Sequence, residues 1–183
     1  MPRLNPIDPT HADARAKPLL DAVQRKLGIT PNMMKTMATS PAVLKGYLDF
    51  AGALGGAAIG ARTQELIALT VAQANGCDYC LSAHTAIGGL FKIPAAELDA
   101  ARDGVSADPK TAAILRFARI VVDTRGKVGD GDVAALRGAG ASDAEIAEVV
   151  AIAALNVFTN LFNNVAATDV DFPRVSARLA AAA

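Results

Sequence analysis

The sequence predicts an all-α protein, on three observations. Apolar residues make up 52% of the 183 positions while aromatics supply only 4%, so the apolar content is mostly Ala, Leu, Val and Ile. Ala has the highest helix propensity, and side chains this small let helices approach closely. Apolar positions recur at helical spacing between Gly and Pro punctuation, and no segment shows the alternation of a half-buried strand.

The elements follow in order. Met1 to Thr10 holds Pro2, Pro6 and Pro9 and reads as an extended arm. A first helix is expected from about His11 to Leu27, stopped by Gly28. A short helix near Pro31-Asn32-Met33-Met34 precedes one that opens at Pro41, a residue suited to the first helical turn. That helix carries Val43, Leu44, Tyr47, Leu48, Ala51 and Leu54 and ends at Gly55-Gly56. Arg62 to Asn75 is apolar on most sides, which places it in the core or between subunits. Asn75-Gly76 closes it, and a new helix starts near Cys80 and runs to about Leu90. Ala95 to Arg102, Pro109 to Arg125 and Gly131 to Arg137 read as three further helices. Ser142 with Glu145 three residues on forms a capping box for a helix through Ala154. A last helix is expected from Asn156 to about Thr168.

The length suits one domain over 1–183. Within it a shift of 80 residues lays Gly60-Ala61 on Gly140-Ala141 and Glu65 on Glu145. The pattern reads as a repeated helix-pair unit, a first copy over about 60–92 and a degenerate second over about 140–170. In the second copy Val157, Asn160 and Asn164 stand where Cys77, Cys80 and His84 stand in the first.

Eighteen Lys and Arg balance eighteen Asp and Glu, so the basic footprint of a nucleic-acid binder is missing. No stretch approaches the roughly 18–20 apolar residues of a membrane span, and the N-terminal segment does not read as a secretory signal. A cytoplasmic location is therefore expected. In that reducing compartment two cysteines three positions apart are read as catalytic or metal-binding rather than as a staple.

The segment with chemistry is Glu65, eleven residues, Cys77-Asp78-Tyr79-Cys80, three residues, then His84. In such a pair one thiolate attacks while its neighbour closes a disulfide across a very short loop. In the first turn of a helix, Cys80 gains thiolate stabilisation from the partial positive charge there. His84 lies one turn on, on the same face, where it could take or return a proton. Were the two helices an antiparallel pair, Glu65 could meet His84 or Cys77 and set the imidazole tautomer. Zinc is the rival reading, but a structural site wants four ligands and His11 lies far off in the N-terminal segment. No metal and no bound cofactor are expected.

Plainer readings stand beside these. Glu65 could be a first-turn carboxylate favoured by the helix dipole, and Tyr79 could line the site or simply pack. Met33, Met34 and Met37 read as core or interface fillers. Arg116, Arg119 and Arg125 read as a solvated face. Asn160, Asn163 and Asn164 form a polar face on an apolar helix, fit for a subunit contact or a pocket wall.

The spacing Glu-x11-Cys-x2-Cys-x3-His resembles the active-site motif of the AhpD-like alkylhydroperoxidases of the carboxymuconolactone decarboxylase superfamily. Arg62 to Thr70 and Ala74-Asn75-Gly76 agree with it. Pro31-Asn32-Met33, Ser40-Pro41 and Asp171-Phe172-Pro173 look like the longer "peroxidase-related" branch. The resemblance implies an AhpD-like helical bundle, with Cys80 attacking a hydroperoxide and Cys77 resolving the sulfenic acid to a disulfide. It makes Glu65 and His84 the proton relay and implies an external dithiol electron donor such as a lipoyl group. It also implies homo-oligomers, trimers or hexamers, while the balanced charge and the hydropathy pattern predict no nucleic-acid or membrane partner. Family enzymes carry a second relay histidine immediately before the second cysteine, where this chain has Tyr79. A phenol titrating near pH 10 cannot shuttle protons at neutral pH as imidazole does, although it can donate a hydrogen bond. The alternatives are a general disulfide oxidoreductase, a redox-sensing helical oligomer without peroxide turnover, and a decarboxylase-like lyase.

Overall fold

The computed structural model describes residues 1–178. Among these, nine helices and no strand occur: α1 (Lys17–Leu27), α2 (Asn32–Met37), α3 (Pro41–Leu54), α4 (Gly60–Ala74), α5 (Asp78–Leu90), α6 (Ala95–Ala101), α7 (Pro109–Thr124), α8 (Asp130–Gly138) and α9 (Asp143–Ala166). The fold is all-α, as the composition and spacing predict.

Helix α4 is the centre because Leu66 through Ala72 are all buried, so it can only lie among other helices. It packs against α5, α7, α9 and α6. One contiguous apolar core runs from Ala16, just before α1, and Leu20 within it to Ile152 and Ala153 of α9. Thr70 is carried into that core at no cost in polarity, its hydroxyl donating to the Ala101 carbonyl at 2.6 Å.

The turn between α4 and α5 positions the cysteines. Gly76 adopts φ +60, a left-handed conformation that glycine takes without a Cβ penalty. The Cys77 N–H then reaches back to the Ala72 carbonyl at 3.0 Å, and α5 sets off along α4.

Several boundaries differ from the sequence expectation; α4, for one, opens at Gly60 rather than Arg62. Helix α1 begins at Lys17, not His11, because the Asp13 carboxylate accepts the N–H groups of Arg15 and Ala16 and holds a turn there. Helix α5 begins at Asp78, with Cys77 as its N-cap. The two helices expected after Ser142 are one helix of 24 residues, since neither Gly nor Pro interrupts Leu155-Asn156-Val157. The Ser142–Glu145 capping box that opens it is present in both directions.

The merger has a further consequence. By length and apolar composition α9 could span a membrane, against the expectation that no stretch would. Its inner face nevertheless buries Val149, Ile152, Ala153, Asn156, Asn160 and Asn163 in the core. The 80-residue shift accordingly pairs a helix-turn-helix with one unbroken helix.

Both ends of the described chain are tied down. The Arg3 guanidinium donates to the Asn164 and Val165 carbonyls at the α9 C-terminus, where a cation complements the helix dipole. Downstream of α9, Asp171 accepts the Asn32 N–H at 2.7 Å, and the Val175 and Ala177 N–H groups bond Ser82 and Asp78 of α5.

Candidate active site

Cys77 and Cys80 are joined in a disulfide, with Cα atoms 5.3 Å apart. Cys80 occupies the first turn of α5, as predicted, and its N–H donates to Cys77 Sγ at 3.2 Å. The two sulfurs differ in access. Cys77 is fully buried, whereas Cys80 lines a cavity of about 510 Å³.

His84 lines the same cavity one turn along α5. Helices α4 and α5 bring Glu65 against it, with Oε2 accepting from His84 Nδ1 at 2.7 Å. Of the two partners the sequence left open for Glu65, the structure supplies His84. Glu65 is not a first-turn carboxylate, because α4 starts five residues earlier at Gly60. With Nδ1 engaged, Nε2 is the ring nitrogen left to exchange protons in the cavity.

The remaining walls come from distant elements: Met33 and Met34 of α2, Tyr47 of α3, Ile152 and Asn156 of α9, and Phe172. Met33, Met34 and Met37 are buried, so they are core residues and two of them also face the cavity. Among the described residues no Lys or Arg lines this cavity. Its polar content is one acid–base pair, one sulfur and neutral hydroxyls and amides. Tyr47 has its phenol pushed up to about 12, chiefly by burial and secondly by the Glu65 charge.

Tyr79 does two things at once. It lines the cavity, and its hydroxyl accepts the Met33 N–H at 3.1 Å while its ring meets Phe172 edge-on. Burial, with the nearby Asp171 carboxylate adding to it, pushes its phenol far above its ordinary value. It stays neutral and ties α5 to α2.

The polar face of α9 that the sequence left open between a subunit contact and a pocket wall supplies one neighbour of the disulfide that the sequence did not pair with it. Asn163 of α9 is buried and donates through Nδ2 to Cys80 Sγ at 3.4 Å. No local pattern pairs residues 83 positions apart. Asn160 instead accepts from Asn75 Nδ2, and Asn164 donates to the Asn75 carbonyl. Among the described residues no cluster of three or more His, Cys, Asp and Glu is placed to hold a metal ion.

Residues 41–123, from the start of α3 almost to the end of α7, match the model of the Carboxymuconolactone decarboxylase family. No curated protein matches in sequence. Among solved structures the chain is similar to the alkylhydroperoxidase AhpD core of an uncharacterized peroxidase-related protein from Ralstonia eutropha JMP134. That match has TM-score 0.83 and 25% identity, over 93% of this chain and 92% of the other. An uncharacterized peroxidase-related protein from Silicibacter sp. TM1040 shares the fold at TM-score 0.79 and 22% identity, over 87% of this chain and 86% of that one. So does the debrominase Bmp8, solved as a cysteine-to-alanine variant with 2,3,4-tribromopyrrole, at TM-score 0.78 and 20% identity over 92% and 91% of the chains. The family match across the CxxC segment, with a helical frame shared over nearly the whole length, makes this chain similar to the AhpD-like proteins of the carboxymuconolactone decarboxylase superfamily.

Proposed function

We propose that the chain is a thiol-dependent oxidoreductase of peroxidase type, reducing hydroperoxides through Cys77 and Cys80 with Glu65 and His84 as proton relay. One observation carries this reading: Cys80 opens into the cavity that also holds the His84–Glu65 pair, while Cys77 lies buried behind it.

The steps balance. In the reduced chain the Cys80 thiolate attacks the terminal oxygen of the hydroperoxide, and the O–O bond breaks. The alcohol leaves with a proton from His84, and Cys80 becomes a sulfenic acid. Cys77 attacks that sulfur and expels water, closing the disulfide. Two electrons have passed from the thiols to the peroxide. An external dithiol then attacks Cys80 Sγ, which faces the cavity, and Cys77 leaves as thiolate. The second donor thiol releases Cys80 and closes the donor's own disulfide. A lipoyl-type donor suits this route, because a dithiol on a long arm can enter the cavity. The cycle needs no bound cofactor or metal. It also suits a reducing cytoplasm, where such couples are recycled.

The exposed Phe158, Leu161 and Val165 on the outer face of α9 support a homo-oligomer, a trimer or hexamer, since a face this apolar calls for cover.

The test is stoichiometric. Reduced protein receives one equivalent of an organic hydroperoxide, and mass spectrometry follows the Cys77–Cys80 peptide. Rapid loss of two hydrogens in wild type, none in Cys80→Ser, and a trapped sulfenic acid or mixed disulfide in Cys77→Ser support the proposal. Absence of oxidation in wild type overturns it. Exchange with small disulfides would then indicate a disulfide oxidoreductase, and an oxidation-dependent change in gel filtration a redox sensor. Lactone turnover surviving a double Cys→Ser change would indicate the lyase.

A further inference from the structure

We infer that Asn163 is the thiolate-stabilising donor of the redox site, holding Cys80 ionised in the reduced chain. The inference rests on the peroxidase-type reading for its purpose, but its evidence is geometric. Asn163 is 2% exposed, and Nδ2 donates to Cys80 Sγ at 3.4 Å. Among the described residues Asn163 Oδ1 has no partner, so the amide makes a single side-chain hydrogen bond, to sulfur. A buried amide that leaves its oxygen unsatisfied pays for the orientation that aims its N–H at Cys80.

That orientation matters little for a disulfide, because a neutral bonded sulfur is a weak acceptor. It matters once reduction makes Cys80 a thiolate, because a hydrogen bond to a charged group is roughly twice as strong. The two sulfurs are then matched: Cys77 keeps the Cys80 backbone N–H, and Cys80 gains Asn163.

The charged and titratable groups around Cys80 leave this role open. From α4 and α5 come Glu65 and His84, paired with each other, and Asp78, turned to the C-terminal segment. From α3 and α5 come Tyr47 and Tyr79, both held neutral by burial. On α9 the residues around the site are Asn156, Thr159 and Asn163, all uncharged, and Asn163 is the one that reaches sulfur. Among the described residues no Lys or Arg lines the cavity to stabilise the thiolate instead. A neutral donor on a rigid helix is what remains besides the α5 terminus itself.

The test titrates one thiol. In a Cys77→Ser background the Cys80 thiolate absorbance is followed against pH, with Asn163→Leu and Asn163→Asp beside it. The control is Asn160→Leu, one turn away, equally buried and bonded to Asn75 rather than to sulfur. Removing the donor with Leu is expected to raise the Cys80 pKa by about one unit, a tenfold loss of thiolate fraction below that pKa. Asp is expected to raise it further, by setting a carboxylate beside sulfur. Asn160→Leu, whatever it costs in thermal stability, leaves the pKa in place. In chains retaining Cys77, Asn163→Leu shifts the equilibrium with glutathione toward the disulfide by a similar factor. An unmoved pKa in both Asn163 variants, or an equal shift in Asn160→Leu, overturns the inference. The titration uses no peroxide, so loss of the peroxidase reading would leave this result standing, and the reverse holds too.

Discussion

Replacing Glu65 by Gln tests the relay most directly, since the change keeps the side chain's shape and removes its charge. Glu65 Oε2 and His84 Nδ1 are 2.7 Å apart, with the side chains 15% and 22% exposed. That sets the pair apart from exposed ion pairs, which contribute at most about 1 kcal/mol. A hydrogen bond to a charged group in such a setting is worth roughly 1.5–3 kcal/mol. The carboxylate acts in two ways: it keeps the proton on Nδ1, and it stabilises the imidazolium whenever Nε2 takes a proton. Gln can satisfy the first requirement only in one amide orientation and never meets the second. At about 1.4 kcal/mol per decade, the loss is about tenfold to a hundredfold in the rate of Cys80 oxidation. The assay mixes reduced protein with limiting cumene hydroperoxide, quenches with an alkylating agent and counts free thiols by mass spectrometry. Circular dichroism and the thermal midpoint check that the variant is folded. A folded Glu65→Gln chain that oxidises within about twofold of wild type would refute the argument, and Glu65 would be a packing partner only.

Two further perturbations follow from groups away from the relay. Tyr79 and Tyr47 are both pushed up in the folded chain, Tyr47 to about 12. A raised phenol adds stability that is complete below its ordinary value of about 10 and drains away as pH climbs toward the folded value. Unfolding free energy should therefore fall above pH ~10, by up to about 1.4 kcal/mol per unit for each phenol. Tyr79→Phe should flatten that limb in alkaline denaturation while costing about 1–3 kcal/mol at neutral pH, because the buried Met33 N–H loses its acceptor. If it slowed oxidation as much as Glu65→Gln, Tyr79 would belong to the relay. At the acid end, Glu145 is held down to about 2, first by Lys110 and then by the Ser142 N–H. Its contribution is present above the ordinary carboxylate value of about 4.3 and is lost as pH falls toward 2. Glu145→Gln should flatten the acid limb by no more than about 1 kcal/mol, as Lys110 is 37% exposed, and Ser142→Ala should cost about 1 kcal/mol at neutral pH. Urea unfolding at several pH values checks both, and an acid limb unchanged in Glu145→Gln would count against the assignment.

Local rules made much of this molecule legible. The capping box at Ser142, the stop at Gly28 and the turn at Gly76 are each decided within four residues, and all three stand as read. The burial of α4 follows from its having no polar face. The alignment of Cys80 with His84 follows from helix geometry alone. Glu65 needed one tertiary fact, that α4 and α5 lie side by side, and the sequence could state it only as a condition. What stayed hidden depends on contacts between distant residues. Tyr79 finds Met33 and Phe172, and Asn163 finds Cys80, across separations that no periodicity encodes. The start of α1 failed for the opposite reason: the Asp13 turn competes locally with a helix that composition favours.

Two windows of the chain, set 80 residues apart, show how one glycine divides the labour of the site. In the first window Gly76 takes φ +60, the helix stops, and a second helix begins with an N-terminus pointing at its own cysteines. In the second window Asn156 stands at the corresponding position, and the helix runs on without a break. A fresh helix start offers free N–H groups and positive potential, which favour a thiolate. An unbroken helix offers no such end, but it supplies a long rigid wall. Asn156, Thr159 and Asn163 project from that wall on the inner face, the first two into the cavity and the third onto Cys80. Breaking α9 with Gly at Asn156 would therefore damage the site from behind while leaving the CxxC turn untouched. Restoring continuity at Gly76 would do the reverse, removing the N-cap that Cys77 provides. The thiol chemistry depends on this asymmetry: one helix must end where its neighbour continues.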